Sequence, residues 1–267
     1  MPTTTYNSLS VIVPAFKAKE TLAKTLQSIH ASLQYFAATP LGAGVKGRIV
    51  VVDDCSPDTT VEVARSLAAS APSVTVLRTD RNRGPGAARN LGVRTAPADL
   101  LFFCDADDLF FENHIHTCFK MMVDDVRIDA VKTSVFAADP VHPHFEKVLQ
   151  TSLPLNLCVK RACHEFVEGF PEHEAYLQLR GGEDTTYILA IGRFFRVWFT
   201  NLKTVEYIRR PGNAFDRQLP RFQHAPGSIP DTRTPQELSA ERAVEKHRNA
   251  HLEHLQTKWD RLLNQRT

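Results

Sequence analysis

Leu100-Leu101-Phe102-Phe103-Cys104-Asp105-Ala106-Asp107-Asp108 is an unbroken apolar run that ends in three carboxylates within four residues. Consecutive large apolar side chains read as a buried strand. Carboxylates gathered at its end repel one another and lose hydration, so a cation or a set of donors must neutralise them. Hard oxygen ligands of this kind suit Mg²⁺ or Mn²⁺, which also bind the phosphates of a substrate. A solvated turn that caps the next helix is the competing reading of these residues alone.

Working outward, Ser10-Val11-Ile12-Val13-Pro14-Ala15-Phe16 is a β-branched run closed by proline, and Ile49-Val50-Val51-Val52-Asp53-Asp54-Cys55-Ser56 is a second apolar run that ends in carboxylates. Both read as interior parallel strands, apolar on two faces. Leu22, Leu26, Ile29 and Leu33 recur at helical spacing over residues 20–33, and Val63 and Leu67 do so over 59–69. The alternation continues with a strand over 74–77, a helix over 85–93 opened by a glycine-proline turn, a helix over 112–123 and a strand over 130–136. This is an α/β pattern with a mostly parallel sheet. Ligands of such sheets sit outside the carboxyl ends of the strands, where Pro14-Ala15-Phe16, Asp53-Asp54 and Asp105-Ala106-Asp107 would gather.

The chain resembles the family 2 glycosyltransferases, which have the Rossmann-like GT-A fold. The resemblance rests on Val11-Ile12-Val13-Pro14-Ala15-Phe16 with Glu20 and Leu22, Val52-Asp53-Asp54-Cys55-Ser56-Pro57-Asp58, Asn82-Arg83-Gly84-Pro85-Gly86-Ala87-Ala88-Arg89-Asn90 and Asp105-Ala106-Asp107-Asp108. A fifth segment is Gly182-Glu183-Asp184 behind Glu168-Gly169-Phe170-Pro171-Glu172. It implies one GT-A domain over residues 1–215, with a nucleotide half near 8–138 and an acceptor half near 139–215, followed by a loop and helix over 216–267. The implied activity is inverting transfer of a sugar from a nucleotide-diphosphate sugar, UDP-linked by first expectation, to a glycan or lipid-linked hydroxyl.

The resemblance also implies roles. Pro14, Ala15 and Phe16 cradle the base, Asp54 accepts from its N–H, and Arg89 approaches the charged side of the nucleotide with Asn90 as its structural partner. Asp105 and Ala106 meet the donor, Asp107 together with Asp105 holds Mn²⁺ or Mg²⁺, and Asp184 is the base with Glu183 beside it. Asp108 either assists through a water or caps a helix. By their residues alone, Asp53 suits an Asx turn with Ser56, and Glu183-Asp184 suits the first turn of a helix. Where many family members carry Tyr-x-Arg-x-His, this chain reads Tyr207-Ile208-Arg209-Arg210-Pro211, without the histidine. Arg209 or Arg210 would then meet the diphosphate. No Gln-x-x-Arg-Trp motif of processive synthases is present, which favours single or few additions.

Gly84-Pro85-Gly86-Ala87-Ala88-Arg89 imitates a dinucleotide loop but lacks the third glycine and follows the third strand rather than the first. Two other readings remain: a sugar nucleotidyltransferase, which would want a glycine- and arginine-rich first loop, and a catalytically silent scaffold that binds glycans. A net charge of +2 over 267 residues argues against a general nucleic-acid binder. The five cysteines are odd in number and lack metal-ligand spacing, so reduced thiols in a cytoplasmic protein are expected, with peripheral membrane contact open. Residues 37–47 read as a surface loop, 139–144 as a proline-punctuated turn, 183–191 as a helix, and 196–200 with 204–208 as extended. The stretch 214–234, with Pro220, Pro226 and Pro230, reads as a mobile loop able to close over the donor. Leu252, Leu255, Trp259 and Leu262 mark a helix over 235–264. It either packs back on the domain or serves a partner, a homodimer included.

Overall fold

The computed structural model describes residues 6–69, 71, 73–138, 143–209 and 234–265. The chain runs β1 (Ser8–Ala15), α1 (Leu22–Ala37), β2 (Lys46–Asp53), α2 (Thr60–Ala69), β3 (Val74–Arg78), α3 (Gly84–Thr95), β4 (Leu100–Phe103), β5 (Leu109–Phe110) and α4 (His114–Asp124). It continues through β6 (Ala130–Ala137), α5 (Pro143–Ser152), β7 (Leu157–Lys160), α6 (Arg161–Phe166), α7 (Glu174–Leu179), α8 (Glu183–Phe194), β8 (Val197–Tyr207) and α9 (Pro235–Asn264). One sheet has the order β3-β2-β1-β4-β7-β6-β8-β5. Strands β3, β2, β1 and β4 are mutually parallel; β7 is antiparallel to β4 and β6, and β5 is antiparallel to β8. The fold is therefore α/β with a mixed, mostly parallel sheet.

Alternation along the strands explains the two covered faces. Val11, Val13, Ile49, Val51, Leu100 and Phe102 pack against α1 and α4 through Leu26, Ile29, Ile115 and Phe119. Ile12, Val50, Val52, Leu101 and Phe103 face Ala88, Phe170, Tyr187 and Ile191. Each such side chain, fully removed from water, contributes about 1.5–3 kcal/mol, so these runs can only be interior. Helix α9 packs back on the second face: Leu255 is fully buried and Trp259 sits edge-on to Phe166 at 5.4 Å.

Several boundaries differ from those expected. Helix α1 starts at Leu22, after a turn over Glu20-Thr21, and runs to Ala37, so the expected loop from 37 shrinks to 38–45. The two extended pieces near 196–208 are the single strand β8, whose pairing with β6 shifts register near Ser134 and so interrupts the periodicity. The expected turn over 139–144 ends earlier, because α5 begins at Pro143, and residues 139–142 lie outside the described residues. So do Arg210 and nearly all of the 214–234 loop, including its expected closure over the donor. All five cysteines are free thiols, four of them buried. Among the described residues no helix is long and apolar enough to cross a membrane.

Candidate active site

Register places the strand ends together. Ala15 pairs with Asp53 and Ile12 with Phe103, so Phe16, Asp54 and Asp105 leave three adjacent strands on one side of the sheet. Beyond these ends lies a cleft of about 650 Å³, with Pro14, Ala15, Phe16 and Asp54 on one wall and Tyr176, Arg180, Gly181 and Glu183 on the other. Phe16 is 44% exposed, an apolar ring that stands at the cleft with little cover. Lys17 beside it and Arg180 opposite both adopt left-handed backbone, at φ 52° and 57°. Such strain in non-glycine residues collects where surrounding structure holds a site in shape.

Asp54 is 2% exposed and its carboxylate is heavily engaged. It accepts from the Thr79 hydroxyl at 2.9 Å and from the backbone N–H groups of Arg83 at 3.0 Å and Gly84 at 2.7 Å. It therefore fixes the turn that opens α3, a use that reading Asp54 as a base contact did not include. Asp53 accepts from the Ser56 N–H at 3.3 Å, the Asx turn its residue type suggests. Asp108 does not cap the next helix, whose N-cap is Asn113. Nearly buried, it accepts from the Ile208 N–H at 2.9 Å and ties the end of β8 to the carboxylate loop.

Arg89 does not line the cleft; it is buried at the hub behind it. One guanidinium nitrogen donates to Asp105 Oδ1 at 2.5 Å, another lies 3.6 Å from Glu183 Oε1, and the plane rests 5.0 Å from the Phe170 ring. Burial works against the guanidinium charge, but Asp105 and Glu183 overcome it and hold the pKa above its ordinary value. The close approach of α3 to α8 depends on Gly86, where a Cβ would stand 3.1 Å from Glu183 Cγ. Asn90 does not partner Arg89. Its amide donates to the Phe170 carbonyl at 2.7 Å and accepts from the Phe170 N–H at 2.9 Å, which pins the loop before Glu172.

Glu183 and Asp184 open α8 behind Gly182, whose φ of 93° suits glycine. Burial, then the charge of Asp184, pushes Glu183 up from the usual carboxylate range. Burial also raises Asp184, with Arg89 pulling against it. A carboxylate whose affinity for a proton is raised this way is suited to general-base work.

Asp105 and Asp107 are half-buried at the end of β4, and among the described residues no three His, Cys, Asp or Glu side chains group as a metal site. Mg²⁺ and Mn²⁺ commonly take one or two carboxylates and complete their shell with water and substrate phosphate, so this oxygen pair fits such an ion. Asp105 shares its carboxylate with Arg89, and neither Asp105 nor Asp107 is among the residues that line the cleft. Arg83 and Glu172, quoted above within their segments but given no role, also line the cleft, as do His173, Tyr176 and Arg180, which were missed from the sequence. The one signal for the last three was their place between the Glu168–Glu172 segment and the paired glycines 181 and 182.

The family model described as glycosyl transferase family 2 matches residues 10–161. The succinoglycan biosynthesis protein ExoO of Rhizobium meliloti is 33% identical over 100 residues, 38% of this chain and 25% of that protein. The dolichol-phosphate mannosyltransferase of Pyrococcus furiosus is 35% identical over 99 residues, 37% of this chain and 25% of that one. The matched stretch thus spans about a quarter of these relatives' length. Among solved structures, the mannosyltransferase PcManGT of Pyrobaculum calidifontis, in complex with GDP-Man and Mn²⁺, aligns with a TM-score of 0.63 at 20% identity, over 96% of this chain and 74% of that one. S. aureus TarS 1-349 in complex with UDP-GlcNAc aligns at 0.62 and 17% identity, over 93% and 71%. At such identities the structural likeness establishes the fold alone, but the family model spans more than half of the sequence and includes the strand ends that build the cleft, so the chain belongs to glycosyl transferase family 2.

Proposed function

We propose that the protein is an inverting glycosyltransferase that takes its sugar from a nucleotide-diphosphate donor, a UDP-sugar by first expectation, and passes it to a hydroxyl of a glycan or lipid-linked acceptor. The observation that carries this reading is the Asp105–Arg89–Glu183 bridge, which ties the carboxylate at the end of β4 to the acid pair of α8 behind the cleft. The donors named for the two structural relatives, UDP-GlcNAc and GDP-Man, are both nucleotide-diphosphate sugars.

In this reading Pro14, Ala15 and Phe16 receive the base, and Asp54 keeps the α3 turn in place beneath the nucleotide. Asp184 accepts the proton of the acceptor hydroxyl as that oxygen attacks the anomeric carbon, and the nucleoside diphosphate leaves from the opposite face, inverting the centre. Glu183, held against Arg89, orients the pair. A divalent ion on Asp107 and Asp105 would neutralise charge on the leaving diphosphate. A lipid-linked acceptor would place the protein in the cytoplasm, against the membrane face.

The test is a thermal-shift and turnover screen of UDP- and GDP-sugars with Mn²⁺, Mg²⁺ or EDTA. A ligand bound only to the folded state raises apparent stability with its occupancy. Stabilisation by one nucleotide class together with release of the nucleoside diphosphate supports the proposal. Nucleotide binding without turnover, across a panel of glycan and lipid-linked acceptors, would return the chain to the silent-scaffold reading.

A further inference from the structure

The cleft wall that carries the acid pair is not self-supporting. Helix α7 has six residues, and Arg180, Gly181 and Gly182 between it and α8 all have positive φ, with values of 57°, 153° and 93°. So short a helix and so loose a linker cannot by themselves hold Glu183 and Asp184 in one place. What packs on them is α9. Val244 of α9 comes within 3.3 Å of where a Cβ on Gly182 would stand. The His247 ring lies 4.4 Å from that of His173, which caps α7 by accepting the Ala175 N–H at 3.2 Å.

The polar contacts run straight to the catalytic turn. The Tyr176 hydroxyl lies 3.3 Å from His247 Nδ1 and 3.3 Å from Thr186 Oγ1. Thr186, fully buried, donates its N–H to the Gly182 carbonyl at 3.0 Å, closing the first turn of α8. One imidazole on α9 therefore reaches both ends of the segment, His173 before α7 and, through Tyr176, Thr186 behind Glu183 and Asp184. The far half of α9 is held independently. Leu255 is fully buried and Trp259 packs among Phe166, Phe194 and Phe195, so the helix has an apolar anchor at one end and a small polar contact at the other.

We propose that His247 is a positioning residue, through which α9 holds the Tyr176 hydroxyl against Thr186 and so fixes the turn bearing Glu183 and Asp184. The inference rests on Asp184 being the base. The alternative, in which the ring merely fills surface space, predicts that any side chain of similar bulk will serve. Because Leu255 and Trp259 hold α9, loss of the imidazole is expected to leave the helix docked and only the turn loosened.

The experiment uses the full chain with His247→Leu, His247→Asn, Tyr176→Phe and the Tyr176→Phe/His247→Leu double variant. Amide hydrogen exchange is read over residues 181–187 and 252–260, and hydrolysis of UDP-glucose, UDP-GlcNAc and GDP-mannose is followed with Mn²⁺. His247→Leu should speed exchange over 181–187 by about 10-fold and leave 252–260 unchanged. It should lower kcat about 10-fold with KM within about twofold, since displacing a reacting group costs rate rather than affinity. His247→Asn, which keeps a polar atom near Nδ1, should restore both. The double variant should be no worse than His247→Leu, because the two act along one path. Unchanged exchange over 181–187, or faster exchange with unchanged kcat, would overturn the proposal. If the wild type hydrolyses none of the three sugars, exchange over 181–187 still judges the positioning, and Asp184→Asn in acceptor-dependent turnover separately judges the base.

Discussion

Two carboxylates, Asp54 lining the cleft and Asp184 next to Glu183 on its other wall, are treated in opposite ways. Asp54, at the end of β2, sits among two backbone N–H groups and a hydroxyl that satisfy it. Asp184, at the start of α8, accepts chiefly from Thr185 beside it and is buried enough to be pushed up toward protonation. The strand-end wall is built by satisfied hydrogen bonds and holds a shape. The α7–α8 wall keeps carboxylates under electrostatic tension, and tension of that kind is what proton transfer uses. One side is built of satisfied donors and acceptors, and the other of buried carboxylates raised above their ordinary range.

The largest test of this contrast is Asp184→Asn. Acceptor-dependent turnover should fall by about 10² to 10⁴ while nucleotide affinity and Tm stay near wild type. Steady-state kinetics beside calorimetric nucleotide binding would show it, and an anomeric configuration retained in the product by NMR would exclude direct displacement. Next in size is Asp107→Ala, which should cut the Mn²⁺-dependent part of donor affinity by up to about 100-fold and leave affinity in EDTA unchanged. Equal affinity with and without Mn²⁺ in the wild type would remove the metal from the strand-end wall.

Asp54→Ala attacks the satisfied side. Two backbone donors and a hydroxyl lose their acceptor, at about 1–3 kcal/mol, so Tm should drop by several degrees together with uridine affinity. Loss of uridine affinity at constant Tm would instead make Asp54 a direct base contact.

The smallest expected effect is on stability. Glu183 is raised in the folded state, so its share of stability is present below the ordinary carboxylate range and is lost as pH rises through the raised value. Glu183→Gln should therefore be more thermostable than wild type at pH 8 and indistinguishable from it at pH 4. In turnover, the acid limb of the pH profile belongs to the coupled pair and should move down when Glu183 no longer contributes charge. A variant less stable than wild type at pH 8 would mean that contact with Arg89 outweighs the tension.

What could be read from the chain differs between the two walls for a related reason. The runs at 11–13, 49–52 and 100–103 are apolar on both faces, and only an interior parallel strand buries such a run, so β1, β2 and β4 and the carboxylates at the ends of β2 and β4 were legible. Strands β5 and β7 and helices α6 and α7 have between two and six residues, too short for any period to show. The Glu183-Asp184 pair could be named by resemblance, but not its link to Asp105, because the Arg89 hub joins residues 78 or more positions apart from α8 through a close approach that Gly86 permits.

The sequence alone thus determined the α/β alternation, the strand ends that gather at the cleft and the family to which the chain belongs. Hydrophobic pattern is local, and the fold follows from it. Only the tertiary structure decided that Asp54 is a turn-holding carboxylate, that Asp108 ties down β8, that Arg89 lies behind the cleft and that α9 packs on the turn bearing Glu183 and Asp184. Each of these depends on which donor meets which acceptor across a long stretch of chain, and hydrogen bonding over that distance leaves no period in the sequence.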